Sequence, residues 1–126
     1  LRYFHINTKV TCIFDCCHSG TIGDLKYVYT NDQNVPKTDN ISSKCRANIC
    51  LISGCMDNQT SADAYNVQGK RQFSGAMTSC LLTVLKDDKR LFNTMRNLRR
   101  LLRTKGFTQY PQLSTSFVVG NEDCLE

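Results

Sequence analysis

The stretch Asp15-Cys16-Cys17-His18-Ser19-Gly20 constrains this chain more than any other. It follows the apolar run Val10-Thr11-Cys12-Ile13-Phe14, which reads as a short buried strand. A strand that ends in Asp-x-Cys and turns at once through Ser-Gly holds a thiol at the edge of a sheet. Open α/β sheets place their chemistry there, outside the carboxyl ends of the strands. A cysteine in that position is a candidate nucleophile. Cys16 and Cys17 both qualify by chemistry, and alternation along the strand points them to opposite faces. Asp15 shares the face of Cys17. A carboxylate beside a reactive thiol raises the thiol pKa, which opposes catalysis unless the carboxylate serves another purpose. Binding a substrate cation is such a purpose, because a half-buried carboxylate pairs best with Arg or Lys.

The chain has 126 residues, enough for one domain with a modest core. With 40% hydrophobic and 21% charged residues it has the balance of a folded globular domain. No apolar run approaches the roughly 18 residues that span a membrane, and Leu1-Arg2-Tyr3-Phe4-His5 lacks the core of a signal peptide. Eight cysteines raise the prospect of a disulfide scaffold or a zinc site. Cys12, Cys50 and Cys80, however, sit inside strand-like or helix-like apolar runs, where free cysteines behave as small hydrophobes. The spacings Cys45-x4-Cys50-x4-Cys55 and Cys12-x3-Cys16 do not match the usual closely spaced zinc ligands. A reduced, cytoplasmic chain with several core cysteines is the expectation. The net charge of +5 comes largely from Arg96, Arg99, Arg100, Arg103 and Lys105. These alternate with Leu91, Met95, Leu98 and Leu102 at helical spacing, so the apolar stripe is read as core and the basic side as a solvated face. Without aromatics or a known motif among the basic residues, neither nucleic acid nor membrane is expected as a partner.

Three segments organise the chain: residues 1–20 as nucleophile strand and turn, 21–47 as a polar surface loop, and 48–126 as a strand-helix-helix-strand unit. Strands are expected at 10–15, 48–53 and 114–119. Ser74 is a plausible N-cap for a helix running to about Lys86. Asp87 or Asp88 can start a second helix that ends near Gly106. This order suits an α/β fold, a mostly parallel sheet flanked by helices. Three strands make a small sheet with open edges, so the chain is expected to be the carboxyl-side part of a larger domain whose amino-terminal strands are absent.

The cysteine motif resembles that of metacaspases, the caspase-like peptidases of plants, fungi, protists and bacteria. The resemblance continues through Leu51-Ile52-Ser53-Gly54-Cys55-Met56-Asp57, through Phe73-Ser74-Gly75-Ala76-Met77-Thr78, and through Pro111-Gln112-Leu113-Ser114-Thr115-Ser116. It implies a caspase-like fold and a cysteine endopeptidase with Cys17 as nucleophile. It also implies protein or peptide substrates cut after Arg or Lys, with Asp15 in the pocket that binds the basic side chain. Asp63 looks as though it stands where animal caspases bind their acidic substrate residue, a second candidate for the reversed charge preference. Asp24 has the spacing of a calcium ligand in calcium-activated metacaspases, so calcium is expected as an activator whose other ligands lie upstream. The short loop after the motif resembles the type I arrangement, and the complete protein is expected to be a monomer. The family's catalytic histidine motif is not found in this chain. His18 is adjacent to Cys17 and unlike a positioned base, and nothing orients His5 toward the carboxyl end of the strand. The chain alone is therefore expected to be inactive and to need the upstream part of the same domain. The alternative is a caspase-like pseudoenzyme or regulatory fragment that binds a partner without cutting it.

Overall fold

The computed structural model describes residue 5 and residues 7–15, 25–31, 33–38, 47–54 and 75–125. Its centre is the apolar run Ile49-Cys50-Leu51-Ile52, which can be buried on both sides and so takes a central strand. Five strands form one sheet: β1 (Lys9–Phe14), β2 (Tyr27–Tyr29), β3 (Lys37–Thr38), β4 (Asn48–Ser53) and β5 (Gln112–Thr115), in the order β1-β4-β5-β2-β3. Among the described residues, two helices, α1 (Ala76–Leu85) and α2 (Leu91–Thr104), lie between β4 and β5 in sequence. β4 is buried from Ile49 to Ser53, whereas β1 alternates between exposed and half-buried positions, as a strand with one covered face does.

The sheet is mixed. β1 pairs with β4 in parallel, from Lys9↔Asn48 to Phe14↔Ser53, while β4–β5, β5–β2 and β2–β3 are antiparallel. Three strands, β1, β4 and β2, still run in one direction, which is the part of the expected parallel sheet that is present. The reversal of β5 has a simple cause. One helix returns the chain to the start of a sheet and gives a parallel neighbour. Two helices in a hairpin cancel, so the chain re-enters at the carboxyl ends of the strands and must run back.

Each face of β4 has its own core. Cys50, Ile52 and Leu113 meet Met77, Cys80, Leu81 and Val84 of α1 and Leu91, Phe92, Met95, Leu98 and Leu102 of α2. On the opposite face Ile49 and Leu51 meet Leu25 and Ala47, with Val10, Cys12 and Phe14 partly buried against them. Fully burying each such aliphatic side chain contributes roughly 1.5–3 kcal/mol. α2 ends as its sequence implies: Gly106 takes φ 85, its N–H bonds Arg103 O, and the Phe107 N–H bonds Leu102 O. That pair of bonds is a Schellman cap.

Three expectations need correction. The segment 21–47 is not only a surface loop: it supplies β2 and β3 and the buried Leu25, Val28 and Tyr29. Strands of three and two residues are too short to show alternation, and the polar residues around them hide them. The last strand is Gln112–Thr115 instead of 114–119. It stops because Ser116 turns its hydroxyl into the ladder, donating to Ala47 O at 2.6 Å and accepting from the Ile49 N–H at 2.8 Å. Arg99 does not join the solvated basic face. It is only 3% exposed, donates from Nε to Pro111 O at 2.9 Å and from Nη2 to Tyr29 O at 3.1 Å, and lies over the Tyr110 ring. Position 99 sits one helical turn from Met95 and close to a turn from Leu102, so the apolar stripe carries it inward.

Candidate active site

The carboxyl ends of β1, β4 and β2 fall at one edge of the sheet, and the start of β5 joins them through Gln112↔Ser53. The Gly54 N–H donates to Phe14 O at 2.8 Å, extending the β1–β4 pairing by one step and fixing where Asp15 leaves the sheet. Alternation puts Asp15 on the helix side, on the face of Thr11 and Ile13.

There Asp15 meets the amino end of α1. That helix begins at Gly75, which has φ 83 and no side chain to cap the first turn. The expected cap, Ser74, lies outside the described residues. The missing acceptor comes from across the fold: Asp15 Oδ2 accepts the Thr78 N–H at 3.0 Å, from 63 residues away. A carboxylate is favoured at this place because free N–H groups and the helix dipole both attract negative charge. The other oxygen, Asp15 Oδ1, is buried and has no hydrogen-bond partner among the described residues. Among the described residues, Ser53 Oγ at the end of β4, Gln109 Oε1 just before β5 and Ser114 Oγ within β5 are also buried without a partner. One carboxylate is thus half satisfied among the described residues, held in place by one oxygen while the other is buried and unpaired. Sequence reasoning placed Asp15 at this edge. It had no means of finding the Thr78 N–H as its partner, because that contact is made by tertiary structure alone.

Cys16, Cys17, His18, Asp24 and Asp63 lie outside the described residues. His5 is described, exposed, and stands before the amino end of β1, where its Nδ1 accepts the Asn7 N–H at 3.3 Å. A six-residue strand separates that end from Asp15, a span of roughly 20 Å. His5 is therefore not brought to the carboxyl edge. Among the described cysteines, Cys12, Cys50, Cys80 and Cys124 are free. Burial pushes the Cys50 thiol up to about 12 and also raises that of Cys80, so neither is a ready thiolate. No group of three or more His, Cys, Asp or Glu side chains among the described residues could hold a metal ion. Calcium takes six to eight oxygens, and the described residues offer it no such shell.

A cavity of about 620 Å³ opens at the other end of the sheet, lined by Lys9, Thr11, Asn48, Leu91, Phe117 and Asp123 among others. It lies a strand's length from Asp15 and takes no part in this site. No helix among the described residues is long and apolar enough to cross a membrane.

Comparison with known proteins agrees with the geometry. Residues 5–120 match the caspase domain family. The chain is 38% identical over 121 residues to Metacaspase-3 of Trypanosoma cruzi, covering 86% of this chain and 34% of that protein. It is 36% identical over 121 residues to Metacaspase-2 of Trypanosoma brucei brucei, covering 86% of this chain and 35% of the relative. Inactive metacaspase-4 of Trypanosoma brucei brucei is 30% identical over 121 residues, again 86% of this chain and 34% of the relative. The chain spans about a third of the length of these relatives. A match over residues 5–120, on an incomplete α/β sheet whose first strand leads into Asp-Cys-Cys-His-Ser-Gly, shows that the chain belongs to the caspase domain family, as a metacaspase-like member.

Proposed function

We propose that this chain is the nucleophile-bearing part of a cysteine endopeptidase that cleaves peptide bonds after Arg or Lys. The observation that carries the proposal is the half-satisfied carboxylate of Asp15, at the sheet edge that the cysteine motif follows in sequence. A guanidinium or ammonium group placed against Oδ1 would complete it with a charge-assisted hydrogen bond. A substrate carboxylate would meet repulsion there. In this reading Cys17 attacks the scissile carbonyl and its own backbone N–H helps stabilise the oxyanion. A histidine outside these 126 residues activates the thiol and protonates the leaving amine. His5 lies at the wrong end of β1 to do so. Asp63 belongs to the proposal as a second acid near the substrate. Asp24 belongs to it as one ligand of an activating calcium ion, which would neutralise clustered carboxylates and order the loop. The substrates are proteins or peptides, and the proposed complete form is monomeric.

A second reading has a specific support: one relative at 30% identity carries the name of an inactive metacaspase. In that reading the same pocket binds a basic segment without cutting it. Fluoromethyl ketone probes with an Arg or an Asp side chain separate the readings by mass spectrometry of Cys17. The peptidase reading expects modification by the Arg probe, slowly in the isolated chain, and none in Cys17→Ala. It also expects little turnover of an arginyl-amide substrate by the isolated chain, because losing the base from a nucleophile–base pair lowers the rate by several orders of magnitude. Preference for the Asp probe, or an Arg probe that binds and leaves Cys17 unmodified, would overturn it.

A further inference from the structure

Helix α2 carries an arginine stripe that the proposed chemistry does not use. Arg96, Arg100 and Arg103 recur at i, i+4 and i+7 and so lie on one side of the helix. Leu91, Phe92, Met95, Leu98 and Leu102 take the other side into the core. Arg100 and Arg103 are exposed and Arg96 is half-buried. α2 contains no Asp or Glu, and the acid just before it, Asp88, is held by Arg90 at 2.9 Å. Among the described residues, no ion pair or hydrogen bond joins the guanidinium of Arg96, Arg100 or Arg103 to a partner. The stripe is about 10 Å long at 1.5 Å per residue, the reach of about three extended residues.

Its position gives it direction. α2 runs toward the carboxyl edge of the sheet, since Arg99 grips Pro111 O just before β5 begins opposite Ser53. The stripe therefore leads away from the Asp15 edge along the outer surface of the helix layer.

We propose that the Arg96–Arg100–Arg103 stripe is an exosite for an acidic segment of the protein substrate, flanking the basic residue held by Asp15. The proposal rests on the functional reading above, in that it takes the Asp15 edge as the substrate cleft. The two surfaces have opposite charge, so they would select a bipartite sequence: one basic residue and, some residues away, a run of Asp or Glu. Arginine suits this role, because its planar fork binds carboxylates bidentately and loses little water in doing so. The stripe has no aromatic side chain on which bases could stack, unlike single-strand nucleic-acid platforms. Its apolar face is in the core, so it has no side to place in a lipid interface.

The test is fluorescence anisotropy with three labelled peptides: one with a single Arg, one with six Glu, and one joining both through a short neutral spacer. They are titrated onto the 126-residue chain carrying Cys17→Ala, so that binding is read without chemistry. The Glu peptide is expected to bind, more weakly as salt rises. It should lose about tenfold or more in the Arg96→Glu/Arg100→Glu/Arg103→Glu variant, by the sum of three exposed charge contacts. Circular dichroism checks that this variant keeps its fold. If it does not, the triple Arg→Gln variant serves in its place, with the same loss expected. The joined peptide should bind more tightly than either part. Loss of the single-Arg peptide alone in Asp15→Asn tests the pocket and leaves the stripe untouched, so the two proposals fail separately. Unchanged Glu-peptide affinity in the triple variants would overturn the exosite. So would tighter capture of a single-stranded RNA 20-mer or of phosphatidylserine vesicles than of the Glu peptide.

Discussion

The two ends of the sheet treat their polar groups in opposite ways. At the amino end of β4, the Ser116 hydroxyl satisfies both the Ile49 N–H and Ala47 O, and the Asn48 N–H reaches Thr8 O. The start of α2 beside it is tied down as well. Asp88 accepts from Arg90 and Asn93, and the C-terminal segment is stitched on by Leu91 N–H to Asp123 O and Leu125 N–H to Lys89 O. At the carboxyl end the pattern reverses. Among the described residues, Asp15 Oδ1, Ser53 Oγ and Gln109 Oε1 are buried with no partner. Native proteins leave few such atoms, each costing about 1–3 kcal/mol. Three of them lie toward the edge where β1 leads into the cysteine motif, while a fourth such atom, Ser114 Oγ, lies inside the sheet opposite Leu51. The closed end holds the fold together, and the open end has bonds to offer.

Truncations sharpen that contrast. Ser116→Ala should cost about 1–3 kcal/mol in chemical denaturation, because it strands the Ile49 N–H in a position that is 0% exposed. Ser53→Ala, at the other end, should be neutral or stabilising by up to about 1 kcal/mol, since the hydroxyl it removes has no partner. Equal losses from the two serines would break the comparison.

A smaller effect belongs to Asp88. Hydrogen bonds from Arg90 and Asn93 hold its carboxyl well below the usual carboxylate range. A lowered folded pKa means stabilisation that is present above the unfolded value of about 4 and lost as pH falls below it. Asp88→Asn should therefore be less stable than the parent at neutral pH, and the gap should close in thermal melts as pH drops below about 4. The gap should also shrink in high salt, because the pair is exposed. The gap should narrow progressively as pH falls from about 4 toward the lowered folded value, and a gap that does not narrow at all between about pH 4 and about pH 2 would show that the Asn cannot replace the capping geometry.

What the sequence showed follows from how far each signal reaches along the chain. β1 and β4 were legible because apolar runs of five and four residues carry their own pattern. The end of α2 was legible from Gly106, whose positive φ needs no distant partner. β2 and β3 were not, since Tyr27–Tyr29 and Lys37–Thr38 become strands only when β5 arrives beside them. Arg99 was read as solvated because its partners, Tyr29 O and Pro111 O, lie on other elements. At the candidate site the motif located Asp15, while the Thr78 amide that holds it was hidden by 63 intervening residues.

The central claim is that Asp15 is a pocket for a cation and not only a helix cap. Its test is Asp15→Asn, which keeps an oxygen to accept the Thr78 N–H and removes the charge that would hold Arg. The measurement is the rate of Cys17 modification by the Arg and Asp fluoromethyl ketones, with a thermal melt of the same samples. The account predicts a fall of at least about tenfold for the Arg probe, no fall for the Asp probe, and stability within about 1 kcal/mol of the parent. An unchanged Arg rate, or an equal fall for both probes with a collapsed melt, would show that Asp15 serves the helix alone.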